Sequence, residues 1–230
     1  MHSAVMPTPK LENDFYDWYA RHEEKKTLVK VHRYDLIFIG DSITHLFEGH
    51  IAFKSHGAAV WAEYYGKRNA LNLGFGWDRT QNVLWRLANG EFEGQTPKLA
   101  VLLIGTNNLS TTPNAHANTP SEICDGIGAI TAFMKERSVS THVLVTGLLP
   151  RHTPDSPYRS TIAEINRILQ DRFAKEHGFS YIDIGSRFIG ERNEIIAERM
   201  PDLTHPSESG YREWAEAIET IVEAHVPRKG

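Results

Sequence analysis

The sequence predicts an α/β protein in which a mainly parallel sheet is covered by helices on both faces. The first observation is a set of apolar runs, at residues 36–39, 70–73, 99–104, 142–146 and 180–184. The second is that segments with helical periodicity and polar faces separate these runs, so that strands and helices alternate along the chain. Strands that are apolar throughout are typical of parallel sheets buried on both faces, which indicates a three-layer α/β/α sandwich.

Six segments are predicted to be helices, and two of their ends carry local support. The helices are expected at residues 11–29, 51–65, 80–88, 120–137, 158–177 and 206–225. Pro206 suits the first turn of the last helix, because its missing N–H would have no partner there. Gly178 can end the helix before the fifth strand by adopting a left-handed backbone without steric cost.

The length of 230 residues is typical of one α/β domain. We expect a single domain over residues 1–230, with residues 1–33 as a helical N-terminal extension packed on it. In this extension, Tyr16, Trp18 and Tyr19 are predicted to form the apolar face of a docking helix.

Charge and cysteine content exclude several classes of partner and site. The net charge of -4 argues against a nucleic-acid partner, because neutralising phosphates needs a dense basic face. The lone Cys124 cannot form an internal disulfide, and no cysteine–histidine spacing is typical of a zinc site.

The sequence contains no run of about 18 apolar residues that would predict a membrane span. Localisation stays open between cytoplasmic and secreted or periplasmic, since a cleaved signal peptide would leave the same sequence.

The carboxyl ends of the predicted strands are the expected place for a functional site. In an open parallel sheet, ligands bind outside these ends, where the strand order reverses. If the order is 2-1-3-4-5, Ser42 follows the first strand, Gly74 the second and Asn107 the third. Because these strands are neighbours in that order, their loops converge on one crevice.

Ser42 is the candidate nucleophile, because it stands at the carboxyl end of a buried strand. A serine hydroxyl needs a base that is itself oriented by a third group. Asp202 and His205 fit this need, since at a spacing of three the carboxylate can hold one imidazole nitrogen while the other faces the serine. Both can reach Ser42 only if residues 185–201 form a returning loop. The alternative is that the pair merely caps the last helix.

An oxyanion hole is predicted from three donors. The backbone N–H groups of Ser42 and Gly74 and the side-chain amide of Asn107 would point at the negative charge that develops on the carbonyl oxygen. Taken singly, Gly74 fits a simple turn and Asn107 fits an asparagine that holds its own loop. Their joint occurrence at the ends of adjacent strands favours the catalytic interpretation.

Three histidines and two tryptophans fit simpler interpretations. His45, His50 and His56 match no common metal spacing and are predicted to be solvent-facing helix residues. Trp77 and Trp85 are predicted to be core residues, with a wall of the crevice as the alternative for Trp77.

Four blocks together resemble the SGNH (GDSL) hydrolase superfamily, which is named for its catalytic serine, glycine, asparagine and histidine. The blocks are Gly40-Asp41-Ser42-Ile43, Asn72-Leu73-Gly74, Gly105-Thr106-Asn107-Asn108 and Asp202-x-x-His205. Residues 77–87 and 147–151 are similar to the platelet-activating-factor acetylhydrolase branch and its bacterial esterase relatives. Trp77 stands where that branch usually has glycine, and Asn108 stands where the wider superfamily has aspartate.

The resemblance implies a flavodoxin-like fold with strand order 2-1-3-4-5 and a mechanism without a cofactor. It also implies that Ser42 is the nucleophile, that Asp202 and His205 complete the triad, and that Ser42, Gly74 and Asn107 supply the oxyanion hole. The residues expected to line the substrate site are Asp41, Ile43, Trp77, Thr106 and Thr204. A homodimer is expected by analogy alone, since the alpha subunits of that branch dimerise.

The expected activity is that of a serine esterase that removes short acyl groups, above all acetyl, from carbohydrate O-esters. The Trp77 indole favours a sugar over a phospholipid, because it narrows the acyl pocket or offers a surface for stacking on a ring. The alternatives are a phospholipid, lysophospholipid or thioester acylhydrolase and, from another class, a non-catalytic carbohydrate-binding protein. The complete set of reactive groups argues against the binding protein.

Overall fold

Five parallel strands form one sheet in the computed structural model, which describes residues 1–50, 52 and 54–228. The strands are β1 (Leu36–Gly40), β2 (Ala70–Gly74), β3 (Leu99–Leu103), β4 (His142–Thr146) and β5 (Phe179–Ile182). Their order is β2-β1-β3-β4-β5, and each neighbouring pair is parallel. The predicted fold class and strand order are confirmed.

The three strands at the expected crevice end at one level. β1 and β2 each run one residue further than predicted, to Gly40 and Gly74, which lie opposite each other in the register. Gly40 also pairs with Leu103 at the end of β3. The loops that follow these strands therefore start side by side.

Helices precede β1 and separate the strands in the described part of the chain. They are α1 (Trp18–Val31), α2 (Ser42–His45), α3 (Ala58–Tyr65), α4 (Thr80–Arg86), α5 (Pro120–Arg137), α6 (Pro157–Phe173) and α7 (Glu208–His225). α5 has the predicted bounds, whereas the short α2 was not predicted. No helix among the described residues is both long and apolar enough to cross a bilayer.

Two helices begin seven residues later than predicted. α1 begins after Asp17, because the carboxylate of this residue accepts a hydrogen bond from the N–H of Ala20 at 3.0 Å and so caps the helix. In the predicted helix 51–65, residues 51 and 53 lie outside the described residues, and α3 begins after Gly57.

The predictions for Pro206 and Gly178 need correction. Pro206 lies before α7 rather than in its first turn, because Ser207 is the cap and its hydroxyl accepts a hydrogen bond from the N–H of Gly210 at 3.3 Å. Gly178 has the predicted left-handed backbone, with φ +83. However, α6 already ends at Phe173, so Gly178 shapes the turn into β5 instead of ending the helix.

Alternate strand residues pack against different helix layers, as the pleat of a strand requires. One core lies towards α4, α5 and α6, and its strand residues include Ile37, Ile39, Ala100, Leu102, Val143 and Val145. The other lies towards α3 and α7, and its strand residues include Leu36, Phe38, Leu99, Val101 and Leu144. Burial on both faces explains why the strands are apolar throughout.

The aromatic residues of the N-terminal extension do not share one helix face. Trp18 is buried at the start of α1, with 2% of its surface exposed. Tyr19 is 50% exposed, and Tyr16 precedes the helix. The prediction of an aromatic docking face is therefore right only for Trp18.

The residues before α1 lie along the edge of the sheet where β2 and β3 end. Thr80, at the start of α4, donates a hydrogen bond from its hydroxyl to the carbonyl of Ala4 at 2.8 Å. The side-chain amide of Asn82 donates to the carbonyls of Thr8 and Pro9, at 3.1 and 2.8 Å. These contacts bring the N-terminal segment to the predicted crevice.

Candidate active site

Ser42 is the first residue of α2, which begins directly after β1. Asp41 caps this helix, since its carboxylate accepts a hydrogen bond from the N–H of Ile43 at 2.9 Å. Asp41 is 1% exposed, and Ile43 is 2% exposed and packs in the core that faces α7. The prediction that these two side chains line the substrate site is therefore wrong, because one supports the helix and the other the core.

Glycines at the strand ends allow α2 to lie against the sheet. A Cβ atom on Gly40 would lie 2.1 Å from Oγ1 of Thr44. A Cβ atom on Gly74 would lie 2.1 Å from the backbone N of His45. Any larger residue at either position would push α2, and Ser42 with it, away from the sheet.

Ser42, His205 and Asp202 form a continuous series of hydrogen bonds. Oγ of Ser42 lies 2.9 Å from Nε2 of His205. Nδ1 of His205 lies 2.7 Å from Oδ2 of Asp202. The histidine side chain is 26% exposed, so the base can be reached from the solvent side. The structure thus brings together the three residues that the sequence predicts to be a triad.

A tight turn, rather than a helix, orients the side chains of Asp202 and His205 towards the same side. Oδ1 of Asp202 accepts hydrogen bonds from the N–H groups of Thr204 at 2.9 Å and of His205 at 2.6 Å. Leu203 has φ +62, a left-handed conformation that side-chain-bearing residues rarely adopt. Since Ser207 caps α7, the alternative that Asp202 and His205 serve merely as the cap does not fit.

The long segment after β5 returns the chain to the end of β1. β5 is three strands away from β1 in the sheet, as the site prediction requires. Within residues 185–201, an antiparallel bridge joins Ile189 and Ile195. The N–H of His152, in the loop after β4, then donates to the carbonyl of Leu203 at 3.0 Å and holds the turn in place.

The surroundings of Asp202 keep its carboxylate ionised. Burial alone would raise its pKa, but hydrogen bonds from the ring and the N–H of His205 and from the N–H of Thr204 outweigh burial and bring the pKa to about 2. An ionised carboxylate at Nδ1 fixes the proton on that nitrogen. Nε2 is then left as an acceptor that faces Ser42.

Asn107 follows β3 and lies in the crevice, with 8% of its surface exposed. Its Nδ2 donates one hydrogen to the backbone carbonyl of Asp78 at 2.9 Å. A side-chain amide carries two hydrogens on this nitrogen. The second hydrogen has no acceptor among the described residues, so a ligand oxygen can take it.

Asp78 belongs to a buried network of charges that the sequence analysis missed. Its carboxylate accepts hydrogen bonds from Nε1 of Trp18 at 2.8 Å and from Nε of Arg86 at 2.7 Å. Arg86 also pairs with Glu91, whose other oxygen lies 2.6 Å from Nδ1 of His22. Each of these residues is at most 2% exposed. The network therefore anchors the backbone that orients the candidate oxyanion donor.

Gly74 does not supply the predicted oxyanion donor. Its N–H donates to Oδ1 of Asn72 at 2.8 Å and is already satisfied. Trp77 has an N–H without an acceptor among the described residues, and a left-handed backbone with φ +62. Trp77 directly precedes Asp78, and the carbonyl of Asp78 accepts a hydrogen bond from the Asn107 amide. The N–H of Trp77 is therefore a better candidate than that of Gly74 for the oxyanion donor.

Thr106 and Trp77, which are also predicted to line the substrate site, differ in how exposed they are. Thr106 is 5% exposed, and its carbonyl accepts a hydrogen bond from Nη1 of Arg151 at 3.0 Å. Trp77 is 44% exposed, so its placement in the core is wrong and the alternative of a crevice wall fits. Trp85 is half-buried, with its ring 5.6 Å from that of Trp18.

The three histidines after Ser42 are not solvent-facing helix residues. His45 is 2% exposed, and its ring packs edge-on against Tyr16 with the ring centres 4.8 Å apart. Burial lowers the pKa of His45 to about 2, so the imidazole is neutral. His50 and His56 are half-buried and lie outside the helices. The prediction fails because the N-terminal segment covers this side of α2.

Comparison with known proteins gives a match to a family model and relatives that are similar in sequence. Residues 38–213 match the model of the GDSL-like Lipase/Acylhydrolase family. The platelet-activating factor acetylhydrolase IB subunit alpha2 of Rattus norvegicus is 31% identical over 205 residues, which cover 89% of this chain and 83% of that protein.

Two solved structures share the fold. A GDSL-like lipase from Bacteroides thetaiotaomicron has a TM-score of 0.68 and 18% identity, over 90% of this chain and 97% of that one. An acetyl-xylooligosaccharide esterase from Geobacillus has a TM-score of 0.61 and 18% identity, over 83% of this chain and 93% of that one. At these identities the likeness is one of fold.

Proposed function

The chain belongs to the GDSL-like lipase/acylhydrolase family, and we propose that it is a serine esterase that removes acetyl groups from carbohydrate O-esters. The observation that carries this proposal is the hydrogen-bonded series from Asp202 through His205 to Ser42. It places a hydroxyl, a base and an orienting carboxylate in the order that acyl transfer needs.

In the first half of the reaction, Oγ of Ser42 attacks the ester carbonyl carbon while Nε2 of His205 takes the hydroxyl proton. The ionised Asp202 stabilises the imidazolium that forms. The tetrahedral intermediate then collapses. The bond to the alcohol oxygen breaks, and His205 returns the proton to that oxygen, so that the alcohol leaves and the acyl group stays on Ser42.

In the second half, water attacks the acyl-enzyme. His205 takes a proton from the water, and the new intermediate expels Oγ of Ser42, which recovers its proton from the histidine. The products are the free acid and the free alcohol. All the groups for these steps come from the protein and water.

Three donors would stabilise the negative oxygen of each intermediate. They are the N–H of Ser42, the second amide hydrogen of Asn107 and the N–H of Trp77, which takes the place that the sequence assigns to Gly74. Loss of a single donor of this kind costs about 2.7 to 4 kcal/mol of transition-state stabilisation.

The preference for acetyl esters of carbohydrates is supported by the exposed indole of Trp77, a residue whose backbone N–H is one of the three donors. An indole face can stack on a sugar ring. The relatives add to this, since one is an acetylhydrolase and another an acetyl-xylooligosaccharide esterase. The competing substrate is an acetylated phospholipid, which the likeness to the acetylhydrolase subunit favours.

The proposal is tested with p-nitrophenyl acetate, butyrate and octanoate, followed by acetylated xylooligosaccharides and an acetylated phospholipid. We expect kcat/KM to fall as the acyl chain lengthens, and the sugar ester to be the better of the two natural substrates. Ser42→Ala should lose turnover while its melting temperature stays within a few degrees. A preference for octanoate, or for the phospholipid, would overturn the substrate assignment.

A further inference from the structure

We infer that Asp14 is a specificity-determining residue, whose carboxylate accepts a hydrogen bond from a hydroxyl group on the alcohol part of the substrate. This inference rests on the proposed esterase function and concerns a part of the crevice outside the triad and the oxyanion donors. It assigns the substrate to the class of neutral, hydroxyl-bearing alcohols and disfavours anionic ones.

Asp14 lies against the turn that carries Trp77. A Cβ atom on Gly76 would lie 1.8 Å from Oδ2 of Asp14, so the carboxylate packs directly on the glycine backbone. Next to it, the hydroxyl of Tyr16 donates to the carbonyl of Gly76 at 3.4 Å. The carboxylate therefore packs on the residue that directly precedes Trp77 in the chain.

One oxygen of Asp14 is free. Oδ1 accepts a hydrogen bond from the N–H of Phe15 at 2.7 Å. Oδ2 has no donor and Asp14 has no ion-pair partner among the described residues. A half-buried carboxylate without an ion-pair partner is costly to keep, and such groups are enriched at functional sites.

The electrostatic neighbours of Asp14 include the candidate base. Burial raises its pKa, while the nearby charges that act to lower it are His205, His50 and Lys10. His205 is the candidate base, so the carboxylate lies within its electrostatic reach. A substrate whose ester group is held at Ser42 would bring its alcohol part into the same region.

The segment that carries Asp14 is fixed at both ends. On one side, Oε1 of Glu12 accepts a hydrogen bond from the hydroxyl of Thr112 at 2.5 Å, and Oε2 accepts one from Nδ2 of Asn114 at 2.9 Å. On the other side, Asp17 caps α1. A rigid segment can present an acceptor at a defined position without an ordering cost.

The chemistry of the pair Asp14 and Trp77 matches a sugar. A carboxylate oxygen accepts hydrogen bonds from hydroxyl groups, and an indole covers the apolar face of a ring. The same carboxylate repels a phosphate group. A quaternary ammonium group would also be attracted to such a pair, so the experiment has to separate hydrogen bonding from charge.

The test compares Asp14→Asn, which keeps an acceptor oxygen but removes the charge, with Asp14→Leu, which removes both. The substrates are acetylated xylooligosaccharides and p-nitrophenyl acetate, whose alcohol has no free hydroxyl to donate. Asp171→Leu, at an exposed position on α6 where the carboxylate pairs with Arg167, is the matched control. Melting temperatures show that each variant is folded.

We expect Asp14→Leu to lower kcat/KM for the sugar ester, through KM, at least tenfold more than it lowers kcat/KM for p-nitrophenyl acetate. Asp14→Asn should retain the sugar activity within about threefold. Equal losses in both variants would overturn the hydrogen-bonding role in favour of charge. Unchanged sugar activity in Asp14→Leu would overturn the subsite while the esterase proposal stands. If the unmodified protein hydrolyses no acetyl ester, the proposed function itself fails.

Discussion

The side-chain amide of Asn107 donates to the backbone carbonyl of Asp78 at 2.9 Å, and through this contact a buried ionic network reaches the reacting centre. The Asp78 carboxylate is held in turn by the indole N–H of Trp18 and by Arg86. A preorganised donor is effective only if its orientation is fixed before the reaction. We therefore propose that Trp18 and Arg86 are positioning residues.

Trp18→Phe tests this relationship, because it removes the hydrogen bond to Asp78 but keeps an aromatic ring in the core. The loss of a hydrogen bond to a charged group should destabilise the fold by about 1.5 to 3 kcal/mol. We expect kcat on p-nitrophenyl acetate to fall about tenfold, with KM unchanged within twofold, at a temperature where the variant is fully folded.

Trp214→Phe is the matched control, since Trp214 is equally buried and its indole N–H has no acceptor among the described residues. It should change stability without changing kcat. If both variants lower kcat to the same extent, the effect is a general loss of packing and the positioning role is wrong.

Asp202→Asn should lower kcat by about four orders of magnitude, because an amide cannot fix the histidine tautomer or stabilise the imidazolium. The lowered pKa of Asp202, about 2, means that its contribution to stability is present above pH 4 and lost as the pH falls towards 2. Since the side chain is 56% exposed, solvent screening keeps this contribution below about 1 kcal/mol.

Urea unfolding of Asp202→Asn and the unmodified protein at pH 7 and pH 3, together with kcat at pH 7, checks both statements. The difference in stability between the two proteins should be smaller at pH 3 than at pH 7. A variant that retains most of its activity at pH 7 would remove Asp202 from the mechanism.

Asp41→Asn should flatten the dependence of stability on pH. Burial raises the pKa of Asp41 to about 7, so the folded state binds its proton more tightly than the unfolded state does. The stability that results is present below about pH 4 and is lost as the pH rises through 7, a change of about 2 to 3 kcal/mol between pH 5 and 8. Asparagine can still cap α2 by accepting from the N–H of Ile43.

Unfolding free energies at pH 5 and pH 8 provide the measurement. Relative to the unmodified protein, Asp41→Asn should become more stable as the pH rises. The exposed Asp171→Asn should follow the unmodified protein at both values. If the unfolding free energy of Asp41→Asn changes with pH as that of the unmodified protein does, Asp41 is not the source of the pH dependence.

Trp77→Gly should separate stability from substrate recognition. Trp77 has φ +62, where a residue with a side chain is strained by roughly 1 to 2 kcal/mol and glycine is not. Because glycine also gains entropy in the unfolded chain, we expect a net change in unfolding free energy of less than about 1 kcal/mol. The kcat/KM for acetylated xylooligosaccharides should fall more than that for p-nitrophenyl acetate. Equal losses on the two esters would contradict a stacking role.

Left-handed backbones in side-chain-bearing residues concentrate around this site. Among the described residues, Trp77, His152 and Leu203 adopt them at the crevice, and the other two cases are Asn69 and Asn193. Asparagine tolerates this conformation, whereas tryptophan and leucine do not. Strain of this kind persists where the surrounding contacts fix the backbone, as the bond from His152 to Leu203 does here.

The strands could be predicted because burial on both faces leaves runs that are apolar throughout. Their order is implied by the family resemblance. Ser42 and Asn107 follow from the same pattern, since each stands directly after a predicted strand. The sequence also shows that Asp202 and His205 can reach Ser42 only if residues 185–201 form a returning loop. The turn that carries Asp202 and His205 could not be predicted, because nothing in the sequence indicates that Leu203 adopts a left-handed backbone.

The features of the site that could not be predicted depend on contacts between segments that are distant in the sequence. The N–H of Gly74 is occupied by the side chain of Asn72, a choice that the local sequence does not fix. Arg86 and Glu91 look like surface residues, because a charged side chain in a helical pattern is normally exposed. Their mutual pairing is what allows their burial. His45 is covered by the N-terminal segment, which lies some thirty residues earlier in the sequence.

The central claim, that Ser42 is a nucleophile activated by His205, is tested most directly by covalent labelling with a fluorophosphonate. Intact-mass measurement followed by peptide mapping should find one adduct per chain, on the hydroxyl of Ser42, with loss of activity in proportion to labelling. Ser42→Ala should remain unlabelled, and His205→Ala should label far more slowly. An adduct at another residue, or an unlabelled and fully active protein, would contradict the account.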